Sequence, residues 1–311
     1  MSEAQTIQWF PGHMTKTRRK IQASLKLVDA VAEIIDARIP VSSRNPELHK
    51  IIENKPRIIL MNKCDMADPS QTARWVSCYQ KEGVLAIPVD CKSGRGLNQF
   101  IPKVRELLKD RIIQWEQKGM VNRTIRVMIV GIPNVGKSSF INRMAKQNRA
   151  KVEDRPGVTR GNQWFTIGKA FDLLDTPGVL WPKFDDPNVG EKLAFTGAVK
   201  DQIVDTEQLA SRLLAVLRDE YSAMLAARYK LEKYDLRPLQ GYELLEIIGR
   251  KRGMLASGGE IDTERLLELI GRKRGMLVSG GEIDTERASI MVLDEFRSAK
   301  LGKITLEQVN G

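Results

Sequence analysis

Gly131-Ile132-Pro133-Asn134-Val135-Gly136-Lys137-Ser138 stands between an apolar run, Ile125 to Val130, and a helix-forming run, Ser139 to Ala145. It satisfies the spacing GxxxxGKS in full, and strand, glycine loop and helix is the context in which that spacing holds phosphate. The glycines let successive backbone N–H groups surround the anion, and the helix N-terminus adds the positive end of its dipole. Asn134, Val135, Gly136, Lys137, Ser138 and Ser139 form the expected cradle. Lys137 is expected to reach the β- and γ-phosphates, and the Ser138 hydroxyl to ligate Mg²⁺.

Two segments downstream fit the same site. Asp175-Thr176-Pro177-Gly178 closes an apolar strand, Phe171 to Asp175. Alone it is a turn with proline and glycine in favoured places, but behind a phosphate loop Asp175 points to Mg²⁺ and the Gly178 amide to the γ-phosphate. Between them, in Arg155-Pro156-Gly157-Val158-Thr159-Arg160, Thr159 is placed to complete the metal sphere and order its loop when a γ-phosphate is present.

The base-reading element lies upstream. Asn62-Lys63-Cys64-Asp65 follows the apolar strand Arg57 to Asn62. A carboxylate at Asp65 accepts from guanine N1–H and the exocyclic amine, whereas adenine leaves it unpaired, a discrimination on the order of 10⁴ where a site is built this way. Asn62 is expected to fix the loop and the base, and the Lys63 stem to cover the ring. Asp90-Cys91-Lys92-Ser93-Gly94, after the next strand, supplies a second base-contacting loop. In a GTPase this clamp ordinarily follows the phosphate loop; here it precedes it. A permuted chain still builds the pocket, because side chains must meet in space and not in order.

The remaining pattern is that of a parallel α/β sheet. A basic helical stretch, Thr15 to Lys26, leads to strands at Val28–Asp36, Arg57–Asn62 and Val84–Val89, with helices near Pro46–Glu53 and Pro69–Lys81. A long helix from about Asn98 to Lys118 precedes the phosphate-loop strand, and strands at Asn162–Ile167 and Phe171–Asp175 close the domain. Beyond Trp181-Pro182 the pattern is helical, with a long candidate at Thr206–Tyr229. The expected organisation is an N-terminal basic segment, 1–27, packing on the nucleotide domain; a circularly permuted P-loop domain, 28–189; and a smaller all-α domain, 190–311.

Inside the helical region Leu244 to Arg265 reappears as Leu266 to Arg287, differing only at Ile247/Leu269 and Ala256/Val278. Near identity marks a recent duplication and not a solenoid, whose units keep only a framework. The extra copy is expected to extend the domain without disrupting it.

Composition narrows the partners. The 311 residues carry a net charge of +11 and a pI near 9.5, which concentrates polyanions, nucleic acid first among them. Cys64, Cys78 and Cys91 have no CxxC spacing and suit reduced thiols of a cytosol. No apolar run reaches the roughly 18 residues of a membrane span, and the opening residues lack a basic segment followed by an apolar one. A cytoplasmic protein acting away from membranes, and as a monomer, is expected.

Order and residues together resemble the circularly permuted GTPases of the ribosome biogenesis GTPase A (YlqF) type. The likeness includes the opening Gln8-Trp9-Phe10-Pro11-Gly12-His13-Met14 and the region of Gly249-Arg250-Lys251-Arg252-Gly253. It implies a bacterial cytoplasmic factor that binds GTP or GDP, joins a large (50S) subunit precursor, contacts 23S rRNA, and hydrolyses GTP when the subunit triggers it. One copy of Leu244–Arg265 is the family's pattern, so the duplication is a departure.

The residue after the DxxG element, which orients the attacking water as glutamine in Ras-like enzymes, is here Val179, and an apolar side chain cannot do so. The resemblance points instead to His13. Similar GTPases with asparagine at the place of Asn134 bind K⁺ beside the phosphates, adding charge as an arginine finger does. The RNA-facing candidates are Lys16, Arg18, Arg19, Lys20 and the triplets Arg250-Lys251-Arg252 and Arg272-Lys273-Arg274, reading phosphates and not bases. The rival readings are a non-catalytic RNA-binding scaffold with structural nucleotide, and a GTPase acting on another RNA or a membrane.

Overall fold

The computed structural model describes residues 14–52, 54–148, 151–153, 163–168, 170–178, 180, 186–199, 205–254 and 283–309. The chain divides into two compact units, Met1–Lys200 with Lys303–Gly311, and Asp201–Gly302.

The first unit is a seven-stranded sheet. Helix α1 (Met14–Leu25) leads to β1 (Ala30–Asp36), α2 (Pro46–Ile52), β2 (Arg57–Asn62), α3 (Pro69–Lys81), β3 (Leu85–Pro88), α4 (Phe100–Leu107), α5 (Lys109–Gln117), β4 (Ile125–Val130), α6 (Lys137–Asn148), β5 (Lys151–Glu153), β6 (Gln163–Ile167), β7 (Phe171–Asp175) and α7 (Pro187–Phe195). The strand order is β3-β2-β1-β4-β7-β6-β5. The five strands from β3 to β7 pair in parallel, whereas β6 is antiparallel to β7 and β5. The expected all-parallel sheet thus gains an antiparallel edge, because only the three residues Gly168 to Ala170 separate β6 from β7, too few for a parallel crossover.

β1 and β4 are neighbours in space although four α-helices and two strands lie between them in sequence. Their chains leave the sheet in different directions, and a crevice at such a switch point is where α/β sheets take ligands. The whole of β1 and nearly all of β4 are buried, as strands covered on both faces must be. Ile21 and Leu25 of α1 pack with Leu48, Ile52, Val31 and Met128. Tyr79 of α3 packs with Ile35, Ile59 and Met61. Each fully buried aliphatic side chain of this kind contributes about 1.5–3 kcal/mol.

The expected helix over Asn98–Lys118 is two helices, broken at Leu108 with φ −103° and ψ 11°. Phe100 and Val104 of α4 are buried, while α5 buries none of its side chains, so α5 has no core contact to hold it in line.

The second unit contains α8 (Thr206–Glu220), α9 (Ser222–Tyr229), α10 (Gly241–Lys251) and α11 (Thr285–Arg297). The expected helix Thr206–Tyr229 breaks at Tyr221, φ −134° and ψ 35°. Leu217, Tyr221 and Leu225 keep an unbroken four-residue period, so periodicity carries no sign of the break. A Cβ on Gly241 would stand 1.9 Å from the Ser211 carbonyl oxygen, which lets α10 lie close against α8.

The two sequence copies contribute one half each. Helix α10 from Leu244 onward comes from the first copy and the start of α11, Thr285 to Arg287, from the second, joined where the Asp284 N–H donates to the Met254 carbonyl at 3.1 Å. Gly249 of the first copy faces Ile283 of the second and Ala288, the residue just after it. The triplet Arg272-Lys273-Arg274 lies outside the described residues. The boundaries differ from the expected 28–189 and 190–311: residues 190–200 and the C-terminal 303–311 belong with the sheet. In that last segment Ile304, Thr305, Leu306 and Glu307 are all buried.

Candidate guanine nucleotide site

The phosphate loop leaves β4 through Gly131, where φ is 150° and a Cβ would meet the Ile34 carbonyl oxygen at 2.5 Å. It turns at Asn134, φ 60°, and at Gly136, φ 102°, where a Cβ would stand 2.2 Å from the Asn62 amide nitrogen. Only glycine lets the clamp and the phosphate loop approach so closely.

Asn62 joins the loops. Its Nδ2 donates to the Val135 carbonyl at 2.6 Å, and its Oδ1 accepts from the Cys91 N–H at 2.9 Å. One buried amide therefore holds the phosphate loop, the clamp and the second base loop in register. That base loop is folded by Asp90, which accepts from the N–H groups of Lys92 and Ser93 at 2.8 and 3.2 Å. Burial works to raise the Asp90 pKa, but these hydrogen bonds outweigh it and lower it. Burial pushes the Cys91 thiol up to about 12, so it stays neutral. Asp65 is half-buried beside Lys63, whose backbone has φ 61° and whose Nζ lies 3.0 Å from Asp36 Oδ2.

Lys137 is buried, and its Nζ donates to the carbonyls of Gly131 and Ile132 at 3.0 and 2.6 Å. Burial lowers its pKa to about 8 against the pull of Asp175. Burial likewise raises the Asp175 pKa, with Lys137 opposing. Both line a cleft of ≈ 480 Å³ with Asn134, Ser138, Gln163 and Gly178. Burial disfavours both charges, and a polyanion beside Lys137 and a cation beside Asp175 would offset that cost. A Cβ on Gly178 would sit 2.8 Å from Lys137 Nζ, so the DxxG turn closes directly on the lysine. A larger cavity, ≈ 610 Å³, lies apart from these loops between α2 and α3, lined by Trp75, Tyr79 and His49 and mainly apolar. Its lining lacks a phosphate cradle.

Residues 126–245 match the model of the family described as "50S ribosome-binding GTPase". Ribosome biogenesis GTPase A of Bacillus licheniformis is 50% identical over 259 residues, covering 83% of this chain and 90% of that protein. Ribosome biogenesis GTPase A of Priestia megaterium is 46% identical over 303 residues, 97% of this chain and 96% of its own. The chain belongs to the ribosome biogenesis GTPase A family. It also superposes on GDP-bound TM YlqF with a TM-score of 0.60 at 25% identity, over 93% of this chain and 99% of that one. The protein is a GTPase.

For this ribosome biogenesis GTPase A family member, the residues present fit Mg²⁺, which GTPases generally use. The Asp175 carboxylate and the exposed Ser138 hydroxyl share the cleft, and among the described residues no cluster of three or more His, Cys, Asp or Glu side chains forms a closed metal site. One carboxylate and one hydroxyl, with phosphate oxygens and waters completing the shell, is a magnesium donor set. Bound there, the ion would neutralise charge developing on the phosphates.

The structure thus gathers Asn62, Lys63, Asp65, Asp90, Cys91 and Lys92 on one side and Asn134 to Ser139, Asp175 and Gly178 on the other. His13, Thr159 and Val179 lie outside the described residues. Among the RNA candidates, Arg18 and Arg19 are exposed and Lys20 partly so, with Arg18 3.3 Å from Glu47. The Lys16 side chain lies outside the described residues. Arg250 is partly buried, Lys251 donates to the Lys230 carbonyl, and Arg252 lies 3.5 Å from Glu295.

Two supporting residues escaped sequence reasoning. Arg143 of α6 donates to the carbonyls of Lys92 and Ser93, tying the base loop to the phosphate-loop helix. Gln163 of β6, opposite Asp175 in the ladder, lines the cleft. Neither has a motif signal; the alternation of β6 alone could have placed Gln163.

Proposed function

We propose that the protein is a cytoplasmic, monomeric assembly factor of the large (50S) ribosomal subunit, which binds 23S rRNA in its GTP state and leaves on hydrolysis. The observation that carries this reading is the Asn62 bridge from clamp to phosphate loop. It supports a complete guanine nucleotide pocket in a chain whose relatives are named for ribosome biogenesis. The intact Lys137, Ser138 and Asp175 favour a working hydrolase over a scaffold with structural nucleotide.

In the proposed cycle Thr159 and Gly178 sense the γ-phosphate, and its loss releases the docked state. His13 orients the attacking water. Asn134 uses its Nδ2 on the Gly197 carbonyl at 2.8 Å, and its Oδ1 is the atom that would face K⁺; turnover equal in Na⁺ and K⁺ at matched ionic strength would remove this role. The exposed charges Arg19 and Lys251, with Arg18 and Lys20, meet phosphates of the RNA. Because Arg252 is paired with Glu295, it contributes less than its triplet suggests.

Sedimentation of cell extract with GDP or with a non-hydrolysable GTP analogue tests the proposal. Enrichment with the 50S fraction only in the triphosphate state is expected. Equal distribution in both states contradicts a GTP-gated assembly role.

A further inference from the structure

We infer that Asp36 is a positioning residue for the guanine clamp, and that the C-terminal segment 303–308 fastens the loop that follows Asp36. The inference rests on reading Lys63 and Asp65 as that clamp. Asp36 ends β1 and is buried. Its carboxylate accepts from Arg38 Nε at 3.0 Å and Arg38 Nη2 at 2.8 Å, and its Oδ2 lies 3.0 Å from Lys63 Nζ. A buried carboxylate between two cations fixes both, since either cation, once released, would leave the carboxylate incompletely paired. The Lys63 ammonium is therefore anchored at a set point, which restrains the aliphatic stem that the clamp reading lays on the guanine ring.

The loop that follows Asp36 is held from the far end of the chain. The Leu306 N–H donates to the Arg38 carbonyl at 2.8 Å, next to the Asp36 pair. The Glu307 carboxylate accepts from the Val41 N–H at 2.6 Å, from the Ser42 N–H at 3.1 Å and from the Ser42 hydroxyl. The same segment grips the stretch just beyond Asp65. The Ile304 N–H donates to the Met66 carbonyl at 3.1 Å, and Thr305 Oγ1 accepts from the Asp68 N–H at 3.0 Å. It thus ties together the two chain segments that carry Asp36 and Asp65, all within one compact unit. The segment begins at Lys303, directly after Gly302, where the second unit ends. By linkage, a segment that orders the clamp is itself ordered when guanine nucleotide occupies it.

Titration of a fluorescent GDP analogue into the full-length protein tests this, using Lys63→Ala, Asp36→Asn, their double variant and Glu307→Gln. Lys63→Ala and Asp36→Asn are each expected to weaken binding about tenfold or more, and the double variant to be no weaker than the worse single one, because both remove the same restraint. Glu307→Gln is expected to weaken binding about threefold or more while kcat at saturating GTP stays within about twofold, a KM effect that general destabilisation does not produce. Hydrogen exchange at the Leu306 amide is expected to slow on GDP saturation. Where Asp36→Asn does not fold, Glu307→Gln and the exchange measurement decide. Losses of Asp36→Asn and Lys63→Ala that multiply, or wild-type GDP affinity and nucleotide-independent Leu306 exchange with Glu307→Gln, overturn the proposal. Unchanged affinity in Lys63→Ala removes the clamp reading itself, and this proposal with it.

Discussion

The Asn62 side chain donates to the Val135 carbonyl at 2.6 Å across a separation of 73 residues, and the same amide accepts from Cys91. In a permuted chain this is the contact that makes the order of the motifs irrelevant to the pocket. Loops emerging from β2, β3 and β4 are brought into register by a group that is buried and uses both of its polar ends.

Replacing Asn62 with alanine removes both bonds and leaves the Cys91 N–H and the Val135 carbonyl short of a partner. The expected cost is about 2–3 kcal/mol, or roughly 30- to 150-fold in GDP affinity. Titration with a fluorescent GDP analogue measures it, and thermal unfolding of the nucleotide-free protein separates loss of binding from loss of fold.

Lys137 gives the site a pH dependence. Its pKa in the free protein is about 8, below its ordinary value, because burial disfavours the charged form. Bound phosphates restore that charge, so binding above pH 8 must take up a proton. GDP affinity is therefore expected to be flat with respect to this group below pH 8 and to fall above it, by up to about tenfold per pH unit. In the nucleotide-free protein the same depressed pKa opposes folding fully below pH 8, and this opposition fades between about 8 and 10.5. Isothermal titration from pH 7 to 9.5 checks the first statement, and Lys137→Arg, which does not titrate there, should lose the slope.

The duplicated segment offers a third test. Between Met254 and Ile283, which pack as neighbours in the second unit, stand 28 residues where a single copy would leave 6. Deleting residues 255–276 retains every described residue of α10 and α11. Shortening the connection lowers its closure entropy, so the deletion is expected to stabilise the unit by about 1 kcal/mol. Denaturant unfolding measures the difference; a clear loss of stability would mean that the extra residues contribute to the packed domain.

The phosphate loop, the DxxG turn and the clamp were legible because each is a short motif set on a strand that periodicity also marks. Asp36 was not legible, since its pairing with Lys63 joins the end of β1 to the turn after β2 and no spacing rule connects them. Nor was the return of Ile304 to Glu307 to the sheet unit: four residues with two buried apolar side chains are too few to show a period. The breaks at Leu108 and Tyr221 were hidden for a related reason. Backbone angles at one residue ended each helix while the apolar pattern ran on past Tyr221.

The most direct test of the central claim, that the permuted chain builds a guanine-reading GTPase pocket around Asp65, is turnover of GTP and XTP by the wild type and Asp65→Asn. Xanthine carries an oxygen in place of the guanine amine, so an amide at position 65 pairs with it and the carboxylate does not. The wild type is expected to prefer GTP, and Asp65→Asn to shift its preference to XTP by about 10³-fold or more, with kcat retained. An unchanged preference for GTP in Asp65→Asn would contradict it.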